Sequence, residues 1–92
     1  MAQISTVIQA DPWSLVTALT ALPGNVSIVE KSSSAGKFIV VYDNSTDDQT
    51  YQVIAGDPDK LALEINALIT SGKNIWFVTP TFSASHYVVA FS

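Results

Sequence analysis

The chain has no cysteine and no arginine, and only one histidine and one methionine. Without cysteine there are no disulfides, no thiolate zinc sites and no cysteine nucleophile. The four basic residues are all lysines (Lys31, Lys37, Lys60 and Lys73) against eight carboxylates, for a net charge of -4. Nucleic-acid surfaces draw most of their affinity from Lys and Arg that neutralise phosphates. This balance argues against DNA or RNA as a partner, and equally against an anionic membrane surface. One histidine cannot build a multi-histidine metal site, so no metal is expected. The four glycines form neither GxGxxG nor GxxxxGK[ST], so no nucleotide cofactor is expected either.

Long apolar runs are missing too. None approaches the roughly 20 residues needed to span a bilayer. The opening "MAQISTVIQADPWS" lacks the basic stretch and apolar core of a secretory signal. The expected location is therefore the cytoplasm, either a host's or, for a viral chain, with the virion as the other setting.

What is present is a foldable composition. With 48% hydrophobic and 13% charged residues, the 92-residue chain is a folded single domain and not a disordered segment. Its main feature is internal repetition. "VIQADPWSLVTALTAL" (7–22) aligns with "VIAGDPDKLALEINAL" (53–68) at an offset of 46, with seven of sixteen positions identical. "VSIVEKSSSAGKFIVVYD" (26–43) aligns with "IWFVTPTFSASHYVVAFS" (75–92) at an offset of 49. The change of offset falls where "PGN" in the first half becomes "ITSGKN" in the second. Two collinear blocks covering most of both halves indicate a tandem duplication: repeats 1–43 and 50–92 joined by a linker, 44–49.

Each repeat predicts the same elements. A strand rich in β-branched residues comes first. Asp11-Pro12 and Asp57-Pro58 then open helices, with the carboxylate as cap and proline in the first turn. Apolar stripes recur at Leu15, Leu19, Leu22 and at Leu61, Ile65, Leu68. A hairpin with a serine-rich turn closes each unit. The fold class is α+β: tandem βαββ units forming one mainly antiparallel six-stranded sheet, both helices on one face, with a pseudo-twofold axis. This layout is similar to ferredoxin-like α+β sandwiches, which run βαββαβ with helices on one face. The likeness is to topology alone, without a family motif, and implies no activity.

The last strand of each repeat is apolar on both sides. Phe38, Val40 and Tyr42 alternate with Ile39 and Val41, and Tyr87, Val89 and Phe91 with Val88 and Ala90. Such strands are covered on both faces, yet two helices on one face leave the other bare. Either the sheet curls toward a barrel or a second chain covers it; a homodimer through the sheet is the favoured expectation.

The candidate ligand-binding residues are Trp13, Ser33, Ser34, Lys37, Trp76, Ser83, Ser85 and His86. The tryptophans offer stacking platforms, the serine-rich turns offer hydroxyl and N–H donors, and Lys37 and His86 occupy equivalent places in the two repeats. For most of them packing or turn chemistry is the simpler account: His86 stands at a strand entrance, and no catalytic motif surrounds it. The acidic residues Asp43, Asp47 and Asp48 lack the spacing of a calcium loop and read as a solvated linker.

The expected function is a small non-enzymatic protein-interaction or assembly module. A compact, acidic chain without motifs resembles phage accessory proteins, such as capsid components and host-defence inhibitors. The first alternative is a small-molecule binder, for a nucleotide or cyclic dinucleotide held at paired sites. The second is an enzyme using His86 with Asp43 or Asp57.

Overall fold

In the computed structural model, which describes residues 3–45 and 49–92, eight elements follow one another. They are β1 (Gln3–Gln9), α1 (Pro12–Thr20), β2 (Val26–Lys31), β3 (Lys37–Asp43), β4 (Thr50–Ala55), α2 (Pro58–Thr70), β5 (Ile75–Pro80) and β6 (His86–Phe91). Each half is thus a βαββ unit, as the repeat predicts. Both helices start as their sequences require. The Asp11 carboxylate accepts the Ser14 N–H at 2.7 Å and that of Asp57 accepts the Lys60 N–H at 2.9 Å. The Ser14 N–H also holds the Asp11 carboxyl below its ordinary pKa. No helix among the described residues is long and apolar enough to cross a membrane.

Each unit builds its own antiparallel sheet, ordered β1-β3-β2 in the first half and β4-β6-β5 in the second. The last strand of each unit lies in the middle, which explains its two apolar faces. The registers repeat with the sequence. Val7 lies opposite Ile39 as Val53 lies opposite Val88, and a bulge between Val26 and Ile28 recurs between Ile75 and Phe77. The closing backbone bonds recur as well: Ala10 N–H to Gly36 O at 2.9 Å, and Gly56 N–H to Ser85 O at 2.8 Å.

The expected single six-stranded sheet does not form, and the two helices do not share one face. The sheets are separate and stacked, with α1 between them. Leu15 and Leu19 are 0% and 1% exposed, and they join Val26, Val29, Phe38 and Val40 of the first sheet to Tyr51, Val88 and Ala90 of the second in one core. Helix α2 covers the far face of the second sheet, where Leu61, Ile65, Leu68 and Ile75 pack against Ile54, Val89 and Phe91. The physical reason is the two-sided apolarity of β6. Side by side, the units would leave one face of both sheets in water; stacked, the second sheet has both faces covered within the chain.

The relation between the units is therefore head to tail and not twofold. A twofold axis would place α2 against the first sheet as α1 lies against the second. Instead α2 packs on β4 and β5, and none of its residues is fully buried.

The stack closes along one edge, where β2 approaches β5. The Thr79 hydroxyl donates to the Val29 carbonyl at 3.2 Å. The Phe82 ring meets Phe38 edge-on, with centroids 5.1 Å apart, and lies under the Lys31 ammonium at 4.8 Å. A second tie spans the halves. The Gln49 amide accepts from Val26 N–H at 2.8 Å and donates to Val26 O at 2.9 Å, and the Tyr51 hydroxyl donates to its oxygen. The Gln49 side chain thereby stands in for a strand at the edge of β2. Of the linker residues, 46–48, including Asp47 and Asp48, lie outside the described residues.

Tight approach fixes one glycine. A methyl on Gly24 would overlap the Asp43 carbonyl, so the turn into β2 admits no side chain there.

Two predictions follow from this packing. Leu15→Ala should cost about 2–5 kcal/mol, as for a fully buried leucine. Its counterpart Leu61→Ala should cost clearly less, because Leu61 is only half-buried. Urea unfolding followed by circular dichroism measures both, and equal costs would contradict the central position of α1. The second concerns Tyr51, whose hydroxyl is pushed above its ordinary pKa of 10.0 by burial, against a smaller opposing effect of the Val26 backbone. An acid raised in the folded state stabilises the fold below its unfolded pKa, and that contribution is lost as pH rises through the folded one. The urea midpoint should fall above about pH 10, and Tyr51→Phe should flatten that fall.

Candidate functional site

The two serine-rich turns lie at the same end of the molecule, brought together by the contacts of Phe82 with Lys31 and Phe38. Their geometry is shared, and its key hydroxyls are not the predicted ones. The Ser32 hydroxyl donates to Lys37 O at 2.7 Å and accepts the Ser34 N–H at 3.1 Å. Thr81, its repeat counterpart, donates to His86 O at 2.8 Å and accepts the Ser83 N–H at 3.3 Å. A β-hydroxyl two residues before the turn's N–H and five before its carbonyl is the signal that identifies them. Ser34, Ser83 and Ser85 enter the turns through backbone N–H or carbonyl groups, and Ser33 is exposed in the first turn.

Gly36 and Ser85 hold the same place in these turns, and both adopt positive φ, 78° and 58°. Glycine does so without strain, whereas serine crowds its Cβ against the following carbonyl.

His86 follows directly. Its Nδ1 lies 2.7 Å from the Ala84 carbonyl, which makes Nδ1 the donor. Its ring meets Trp13 edge-on, with centroids 5.2 Å apart and an interplanar angle of 68°. Trp13 stands on the first turn of α1, so this contact joins the first half's helix to the second half's sheet. Two residues singled out separately in the sequence are thus one interface pair. The carboxylates considered for His86 are engaged elsewhere: Asp57 caps α2, and Asp43 lies at the far end of β3 from the turns. Trp76 is also at that far end, where its indole N–H donates to the Ser92 hydroxyl at 2.8 Å. The predicted residues therefore do not converge on one pocket. A shallow hollow lies elsewhere, between β4 and α2, lined by Gln52, Ile54, Lys60 and Glu64 among others. Among the described residues no group of three or more His, Asp or Glu side chains is placed to hold a metal ion.

The most distinctive surface is the outer face of the first sheet. Strand alternation and register place Val7, Ile39, Val41 and Ile28 side by side there, framed by Ser5, Gln9, Lys37 and Glu30. Val7, Ile28 and Ile39 are 62%, 47% and 46% exposed. In the second sheet the same grid is Val53, Val88, Ala90 and Phe77, framed by Tyr51, Ala55, His86 and Thr79. There it lies under α1, with Val88 and Ala90 fully buried. The two-sided pattern of β3 gave half of this face, Ile39 and Val41. Val7 and Ile28 join it only through pairing register.

No family model matches the chain, and neither a curated protein nor a solved structure does. What defines this protein is its own geometry: an α+β stack of two βαββ units with one sheet face covered and its equivalent bare.

Relief of the strain at Ser85 is measurable. Ser85→Gly should stabilise the fold by about 1 kcal/mol, the usual penalty for a left-handed residue with a Cβ. Gly36→Ser should destabilise it by a similar amount. Thermal unfolding of the two variants checks the pair, and a loss of stability in Ser85→Gly would contradict the equivalence of the turns.

Proposed function

We propose that this chain is a protein-interaction or assembly module that acts through the outer face of its first sheet. One observation carries the proposal: an apolar grid that the second repeat buries under a helix is left bare in the first. Contiguous exposed apolar surface is costly in water, and where it persists with a polar frame it marks an association site. Ser5, Gln9, Lys37 and Glu30 supply that frame. Single exposed apolar residues need no explanation, but three adjacent ones around half-buried Val41 do. The grid is an open sheet face, with a bulge beside Ile28, and this suits a protein surface better than a small ligand, which takes an enclosed pocket. A role as an accessory protein of a viral particle, or as an inhibitor that binds another protein, belongs to this same class.

Light scattering over a concentration series tests the proposal. The wild-type chain should show a mass above that of one chain, rising with concentration. Ile39→Lys, which puts a charge in the centre of the grid, should return it to the mass of one chain while keeping its circular dichroism. A wild-type chain that stays single at every concentration would overturn association through this face.

A further inference from the structure

We propose that the partner is a second copy of the chain, docked head to tail so that α2 of one copy covers the outer sheet face of the next. This rests on the assembly reading above and names its occupant. The chain itself shows what covers a face of this kind, since the equivalent grid of the second sheet is covered by α1. The repeat counterpart of α1 is α2, and α2 lies at the opposite end of the stack, with its outer side free. Applying the internal step once more places α2 on the first sheet of another copy.

The surfaces that would meet are matched. Trp13 touches His86, so the side of α1 that carries Pro12, Trp13 and Val16 is the one turned to the second sheet. The same side of α2 carries Pro58, Asp59 and Ala62 and continues two turns further, past Asn66, to Ile69, and all five are exposed. Pro58, Ala62 and Ile69 are apolar positions, interrupted by Asn66, that stand outside the cluster α2 makes with the second sheet, and Ile69 is 52% exposed. A partly apolar helix side and an apolar sheet grid are therefore both exposed, at opposite ends of one molecule.

The strongest sign is in the charges. At the internal interface Trp13 meets His86. At the offsets of 46 and 49 these become Asp59 on α2 and Lys37 on the first sheet. The step that brings two rings edge to face inside the chain would bring opposite charges together between chains. A second contact maps as well: Phe38 against Phe82 becomes Tyr87 against Ser33, two hydroxyl side chains able to bond. The Thr79 hydroxyl, which bonds Val29 O inside the chain, becomes Glu30, so that bond is not repeated. Association of this kind is heterologous: one copy's helix end meets another's sheet end, and it grows into a ring or a filament instead of stopping at a twofold dimer.

Two blocking variants separate this arrangement from a face-to-face dimer. Ile39→Lys blocks the sheet end, and Ala62→Arg blocks the helix end. Both add positive charge, so the altered surfaces repel one another. Each alone should sediment as a single chain, and a one-to-one mixture should form a dimer and nothing larger. Association of Ala62→Arg like the wild type, or a mixture that stays single, would overturn the head-to-tail arrangement while leaving association through the sheet intact. A wild-type chain that never associates would remove both. If either blocking variant loses its circular dichroism signal, a charge pair takes its place. Lys37→Asp should weaken association about twofold to fivefold, as for a solvent-edge ion pair, and Lys37→Asp with Asp59→Lys in one chain should restore it. Weakening without restoration would overturn the pairing.

Discussion

The burial of α1 between two sheets is the constraint from which the rest of the structure follows. Leu15 and Leu19 cannot reach water from there, and through them each half depends on the other. A three-stranded sheet with one helix is too small to bury much surface alone. Stacking the units head to tail lets one helix serve two sheets. The Thr79–Val29 bond, the Gln49 clasp on Val26 and the Phe82 contacts all lie along the seam that this stacking creates. They are consequences of where α1 sits.

That arrangement is asymmetric, and its asymmetry concentrates whatever surface chemistry the chain has. Repeats that stack by translation leave one face unused at each end, and terminal units normally turn a polar side outward. Helix α2 does so in part: Asp59 stands where α1 has Trp13, Glu64 where it has Ala18, and Asn66 where it has Thr20. The sheet end has no such change at its centre, where Val7, Ile28, Ile39 and Val41 remain apolar. The sheet end is polar at its edges and apolar in the middle, whereas the helix end mixes apolar Pro58, Ala62 and Ile69 with Asp59 and Asn66. On the proposed assembly reading, this is the composition of an interface and not of a blunted terminus.

Much of this was legible in the sequence. The offsets of 46 and 49 gave the βαββ units, and Asp-Pro gave both helix starts, because capping and proline chemistry are local. The alternation in 38–42 and 87–91 revealed strands covered on both sides. What covers them was not legible, since the choice between a six-stranded sheet and a stack depends on the total area buried and not on any local pattern. The site residues show the same division. Lys37 and His86 align as equivalents, but the ring against His86 is that of Trp13, which only the head-to-tail stacking brings near it. Turn composition points to Ser33, Ser34, Ser83 and Ser85 and not to Ser32 and Thr81, because hydroxyl direction at a turn depends on backbone geometry that composition does not carry.

The most direct test of the central claim is a zero-length cross-link between chains. A carbodiimide joins a lysine to a carboxylate only when the two are in contact, and mass spectrometry of a mixture of isotopically light and heavy chains identifies bonds formed between copies. If the contact that organises the inside of this chain also organises its association, the inter-chain bond will join Lys37 to Asp59. Cross-linked pairs whose inter-chain bonds never include the first sheet and α2 would contradict it.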